Sequence, residues 1–255
     1  MPHISLAAEK VFILWGLPIS NALLTSWLVA ILLMVFSYAI TRKLTLIPTS
    51  AQLIVESIIG GLYDFFKTIT GKYINQFFPL IASLFIFIIT ANWAGLLPGV
   101  GTVGFFHEGG EFIPLLRGAT ADLNTTVALA LVSVVAIQYF GFTTMGLRYS
   151  SRFLNFSNPI YFVLGLLELV SEISKIISFA FRLFGNIFAG EVLLAVMAFL
   201  MPFIVPLPFL MMELFVGFIQ ALVFSMLTAV FLQVAVSHGE GEHALRIKGG
   251  DLTHE

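Results

Sequence analysis

Residues 158–208 read NPIYFVLGLLELVSEISKIISFAFRLFGNIFAGEVLLAVMAFLMPFIVPLP. A helix over 158–199 is about 60 Å long at 1.5 Å per residue, about twice the thickness of a bilayer's hydrocarbon core. Such a helix must tilt, kink or project beyond the bilayer. Pro202, Pro206 and Pro208 cannot sit in a regular helix interior, so the chain is expected to break there. A second apolar helix then returns over 209–236, and the two form a long tilted hairpin.

Three more stretches outside this hairpin, 22–40, 78–97 and 125–146, are long and apolar enough to span. The expected fold class is therefore an all-α integral membrane protein with five crossings, a single membrane domain over residues 1–255. Composition agrees. Only 10% of the 255 residues are charged and 59% are hydrophobic, with a mean hydropathy of +1.02. An average soluble domain carries about 25% charged residues, and too few are present here to cover a water-facing globule. With no cysteine, disulfides, thiolate metal sites and cysteine nucleophiles are excluded. No basic cluster suggests nucleic acid, and no metal or organic cofactor is expected.

Residues 49–70, TSAQLIVESIIGGLYDFFKTIT, carry Leu53, Ile54, Ile58, Leu62, Phe65, Phe66 and Ile69 at helical spacing. Glu56, Asp64 and Lys67 fall within the same segment, so an interfacial amphipathic helix is expected rather than a sixth span. Residues 1–21 lack a basic region and a small-residue cleavage pattern, and they read as an external segment leading into the first span. Residues from His238 to 255 read as a mobile polar cytoplasmic tail.

Lys and Arg set the orientation. With the N-terminus outside, Arg42, Lys43, Lys67, Lys72, Arg148, Arg152, Arg246 and Lys248 are cytoplasmic. Only Lys10 and Arg117 are external, and five crossings bring the C-terminus inside. The external loop 98–124 is acidic, with His107, Glu108, Glu111 and Asp122. Asp122 or Asn124 at its end suits an N-cap for the helix that follows, with a place on the proton path as the weaker alternative.

Ionisable groups at membrane depth are costly and usually mark a functional path. The long helix holds Glu168, Glu172, Lys175, Arg182, Asn186 and Glu191. Glu168, Lys175 and Arg182 are seven apart and share a face, while Glu172 and Lys175 are spaced to pair. Glu191, nine positions after Arg182, falls on the opposite face. The returning helix supplies Glu213 and Gln220, again seven apart, and antiparallel packing sets Glu213 near Glu191 and Gln220 near Arg182. The small residues Gly185, Ala189, Gly190 and Ala221 permit close approach of helices or leave room for a neighbour. A solvated ion-pair face remains open for Glu168, Glu172 and Lys175, a neutral packing carboxyl for Glu213, and an interhelical hydrogen bond for Gln220. Arg182 cannot be discharged at any useful pH, so it must meet water, an anion or both.

The stretch Arg182-Leu183-Phe184-Gly185-Asn186 followed by Ala189-Gly190-Glu191 resembles the RLFGN…AGE signature of F-type ATP synthase a subunits. Ile219-Gln220-Ala221 with Phe224, Leu227 and Thr228, the Gly118–Asn124 stretch GATADLN, and NWAGLLPG at 92–99 are also similar to that family. The resemblance implies the stationary proton path of a rotary motor. Its partners would be a ring of c subunits bearing mid-membrane carboxyls, a b-subunit peripheral stalk and the remaining Fo and F1 subunits. Arg182 would be the stator arginine between two offset aqueous half-channels. Glu191 and Glu213 would relay protons on the external side, with Asn186 and Gln220 beside the arginine. Glu168, and less centrally Glu172 and Lys175, would serve the cytoplasmic side. Some bacterial members carry histidine where Glu213 stands, so here two neighbouring carboxyls would share the relay. The transported ion would be H⁺, or Na⁺ if the ring selects it, and a bacterial inner membrane is expected.

The chain has no G-x-x-x-x-G-K-[ST] loop, so nucleotide chemistry is expected on partner subunits. A stand-alone ion or solute transporter would also use ionisable groups on broken helices, but no inverted repeat is visible. A purely structural membrane subunit predicts that Arg182 is dispensable. A membrane-embedded enzyme lacks its usual zincin or paired-aspartate arrangement.

Overall fold

A computed structural model of the chain describes residues 9–14, 17–42, 44–45, 47–101, 103–106, 112–146, 159–201 and 204–250. Lys43, His107, Glu108, Glu111, Arg148, Arg152 and Pro202 lie outside the described residues, as do residues 1–8 and 251–255.

Among the described residues six α-helices carry the fold: α1 (Asn21–Thr41), α2 (Ser50–Thr70), α3 (Ile74–Gly95), α4 (Leu123–Met145), α5 (Pro159–Leu200) and α6 (Pro206–Gly250). Among the described residues five helical stretches are long and apolar enough to cross a membrane: Asn21–Thr41, Ser50–Gly95, Leu123–Thr144, Phe162–Leu200 and Pro206–Ser237. Two small antiparallel hairpins accompany the helices, Lys10–Leu14 with Leu17–Ser20, and Gly104–Phe106 with Phe112–Pro114.

The 42-residue α5 ends at Leu200 and α6 restarts at Pro206. Pro206 and Pro208 fall in the first turn of α6, where the missing N–H removes no helical bond. The returning helix runs on past residue 236 to Gly250. Glu240, Glu242, Ala244, Leu245 and Arg246 include good helix formers.

The core is where α3, α4, α5 and α6 meet. Leu84, Phe85, Ile88, Ala130, Val134, Phe179, Ala180, Leu183, Ile187, Ala221 and Phe224 form one buried cluster. Phe179, Leu183 and Ile187 are four apart, so they make a single stripe on α5. Many apolar side chains point outward instead, among them Ile31, Met34, Val35, Leu167, Val170 and Phe181. Lipid or a partner subunit suits such an outer surface, since neither demands polar groups.

Helix α2 packs on one end of this bundle. Its Phe66 is fully buried with Ile74, Phe77, Ala229, Leu232, Ala235 and Val236. Tyr63 Oη donates to Asn75 Oδ1 at 2.8 Å, although the two are 12 residues apart. That is reachable only because the chain folds back at Gly71, whose φ of +55° glycine adopts without strain. Leu53, Ile54, Ile58 and Phe65 remain exposed, so α2 is amphipathic with a second apolar face turned away from the bundle.

The opposite end is organised by the connection 115–122. Asn92 on α3 is buried and fixes two elements at once: its Nδ2 donates to the Gly217 carbonyl on α6 at 2.9 Å, and its Oδ1 accepts from Thr120 Oγ1 at 2.7 Å. Trp93 Nε1 donates to the Leu214 carbonyl at 3.1 Å. Gly95 lets this connection close on α3, because a Cβ there would stand 3.0 Å from Gly118 Cα. The neighbour is backbone and cannot swing aside. Gly95→Ala is therefore expected to cost about 1–3 kcal/mol through overpacking and to lower the onset of thermal aggregation of the detergent-solubilised protein. An unchanged onset would contradict the close approach.

Candidate functional site

The polar residues of α5 and α6 fall at three levels. At the first, α5 turns its glycine, not a side chain, toward α6. A Cβ on Gly190 would collide with the Glu213 carboxyl, striking Oε2, Cδ and Oε1. Glu213 is only 3% exposed, so its carboxyl occupies the space that the missing side chain leaves. Glu191 follows Gly190 and is rotated by about 100° around the helix. Its carboxylate faces the connection 115–122: Arg117 Nε lies 3.4 Å from Glu191 Oε1, and Arg117 Nη2 lies 3.5 Å from Oε2. Two carboxyls from adjoining helices and one guanidinium thus meet at this level.

At the second level, one to two turns along α5, Asn186 Nδ2 donates to Gln220 Oε1 at 2.7 Å. Gln220 is buried while Asn186 is exposed, so the bond links the hairpin's interior to its outer face. Arg182 lies one turn from Asn186, its Nη2 donating to Ser178 Oγ at 3.0 Å. Around it, Phe181, Gly185, Asn186 and Ala189 are all exposed. A Cβ on Gly185 would meet nothing within 4 Å. Arg182 is therefore presented on an open face floored by small residues, and Glu191 points away from it.

At the third level Lys175 Nζ lies 2.6 Å from Glu172 Oε1, both side chains largely buried. The ammonium also sits 4.7 Å from the ring centre of Phe231 on α6, a placement that favours a cation. Glu168, one turn earlier, is half-buried.

Asp122 and Asn124 sit at the start of α4. Asp122 occupies the N-cap position with an extended backbone, but its carboxylate does not cap a backbone N–H. It accepts instead from Thr125 Oγ1 and Asn124 Nδ2, both at 3.4 Å, because Asn124 falls inside the first turn and competes for it. Both residues edge an open groove of about 620 Å³ between α1 and α4, with Ser20, Ser26 and Trp27 across it. Among the described residues no group of three His, Cys, Asp or Glu could hold a metal ion.

A family model described as ATP synthase A chain matches residues 23–233. The chain belongs to the ATP synthase A chain family. Relatives named ATP synthase subunit a make the same point over most of their length. One from Moorella thermoacetica is 32% identical over 223 residues, 88% of this chain and 94% of the relative. Another, from Citrifermentans bemidjiense, is 35% identical over 219 residues, 86% of this chain and 89% of the relative. A third, from a Geobacter species, is 34% identical over the same length and shares. The family match takes in every residue of the site just described except Ser20.

Two participants were not expected from the sequence of this family member. Arg117 was counted only as an external charge, and Asn92 only as part of a resembling stretch. A lone arginine between Leu115-Leu116 and Gly118-Ala119 is the one local sign that it does not face water, since an apolar flank draws the segment inward.

Proposed function

We propose that the chain is the stationary, ion-conducting subunit of the membrane motor of a rotary ATP synthase. The observation that carries the proposal is Arg182 on an open, small-residue face of a membrane-length helix, with Glu191 and Glu213 gathered behind it. A permanent cation there is a partner for a deprotonated carboxyl on a passing ring subunit, and a barrier to a hydrated proton.

The external half-channel leads past Asp122 and Asn124 to Glu191 and Glu213, and then to Gln220 and Asn186. On the cytoplasmic side Glu168, with Glu172 and Lys175, opens toward water. The two paths are separated along α5 by Arg182, and a proton passes from one to the other only by riding the ring. The transported ion is H⁺, or Na⁺ where the ring carboxyl site selects it. Helix α2 lies in the cytoplasmic interface with its exposed Leu53, Ile54 and Ile58 in lipid. The N-terminus is external and the C-terminus cytoplasmic, in a bacterial inner membrane. The chain itself is not catalytic: ATP is made on partner subunits, and a peripheral stalk holds the chain still.

The chain contains no cysteine, so a single introduced thiol reports on one place. Ala189→Cys paired with a cysteine on the outer helix of the ring is expected to give an oxidised adduct that stops ATP-driven proton uptake. Reduction should restore it. Failure to cross-link at every ring position tried would mean that this face does not meet the ring.

A further inference from the structure

We infer that Arg117 is a positioning residue of the external half-channel, holding the Glu191 carboxylate in register with Glu213; the inference rests on the relay reading just given. Arg117 lies in a connection between helices, where an arginine normally reaches water, yet its side chain is 8% exposed against 41% for Glu191. A buried guanidinium cannot shed its charge and requires an anion. Its Nη2 donates to Glu191 Oε2 at 3.5 Å, while its Nε lies 3.4 Å from Oε1 as an ion-pair contact alone, so one hydrogen bond and the charge together orient the carboxylate. Both distances exceed those of a tight fork, so the grip orients Glu191 without sealing it off from its exposed side.

The arginine is delivered from a fixed base. Its amide donates to Thr25 Oγ1 on α1 at 3.3 Å. Gly118, next in sequence, closes against Gly95 on α3, and Thr120 bonds to Asn92. Asn92 in turn holds the Gly217 carbonyl of α6, one turn beyond Glu213. The same hydrogen-bonded set therefore places Arg117 over Glu191 and sets the stretch of α6 that bears Glu213. Gly190 completes the arrangement, because Glu213 rests on it while Glu191 is its neighbour. Without Arg117, Glu191 loses the guanidinium that orients it, and the carboxyls fall out of reach.

The test is passive proton flow through inverted vesicles stripped of the catalytic head, comparing Arg117→Gln, Glu191→Gln, the double variant and Arg117→Lys. Arg117→Gln should slow flow by on the order of 10- to 100-fold, the scale of a misplaced reacting group. The double variant should be no slower than Glu191→Gln alone, because the arginine acts through that carboxylate. Arg117→Lys should recover part of the flow, keeping the charge without the planar guanidinium. Wild-type flow in Arg117→Gln, or reductions that multiply in the double variant, would overturn the inference. If Arg117→Gln does not assemble, the double variant decides. Assembly regained there supports the inference, since an uncompensated carboxylate was the fault, and assembly still lost overturns it. Glu191→Gln with wild-type flow would overturn the relay reading itself, whereas impaired Glu191→Gln beside normal Arg117→Gln removes only the role of Arg117.

Discussion

Arg182→Ala is expected to abolish ATP-driven proton uptake by inverted vesicles while the complex still assembles at full size, and to raise passive proton leak. Assembly should survive because the guanidinium's hydrogen bond is a local one to Ser178, one turn away on its own helix. The stripe that packs α5, Phe179, Leu183 and Ile187, lies on another side. Function should not survive. At 4 Å and an effective dielectric near 20, a charge pair is worth about 4 kcal/mol, and each 1.36 kcal/mol is about tenfold in rate. Losing the cation thus removes roughly three orders of magnitude of drive for releasing the ring carboxyl's proton. The leak has the opposite sign for the same reason, since the barrier to a cation disappears with the charge. Normal pumping in an assembled Arg182→Ala complex would end the stator assignment and leave a structural subunit as the better account.

Gly190→Ala is the second large effect, and it is a steric one. A single methyl at this position occupies the place of the Glu213 carboxyl, which is buried and cannot retreat into solvent. Either the carboxyl turns away from Glu191 or α5 and α6 separate, and proton uptake should fall by on the order of 100-fold. Glu213→Asp withdraws the carboxyl by one methylene. The double variant Gly190→Ala with Glu213→Asp should therefore regain part of the lost uptake, although Glu213→Asp alone is itself slowed. Recovery above the Gly190→Ala level locates the carboxyl on the glycine. No effect of Gly190→Ala would mean that Glu213 lies elsewhere.

Helical arithmetic made much of the site legible before any coordinates. Arg182, Asn186 and Glu191 lie on one continuous helix, where spacing alone sets their faces. The proline break at 202–208 sets the antiparallel return, and with it the level at which Asn186 meets Gln220. Five apolar stretches announce themselves by length. The connection 115–122 is different. Nothing periodic ties Arg117 to Glu191 across 74 residues, and the contact depends on how a loop closes over Gly95. Side-chain competition was equally hidden: Asp122 stands where a cap belongs, yet Thr125 and Asn124 take its carboxylate. The helix beyond residue 236 was missed because a polar, glycine-rich stretch reads as a mobile tail, whereas α6 is helical through Gly250.

The face around Arg182 has a mechanical consequence. Interlocked side chains on two helices must climb over one another for every step of sliding, and the periodic barrier grows with the depth of the teeth. Gly185 and Ala189 supply no teeth. A rotor turning against them meets a nearly level track marked by one electrostatic detent, so its motion is timed by charge rather than by friction.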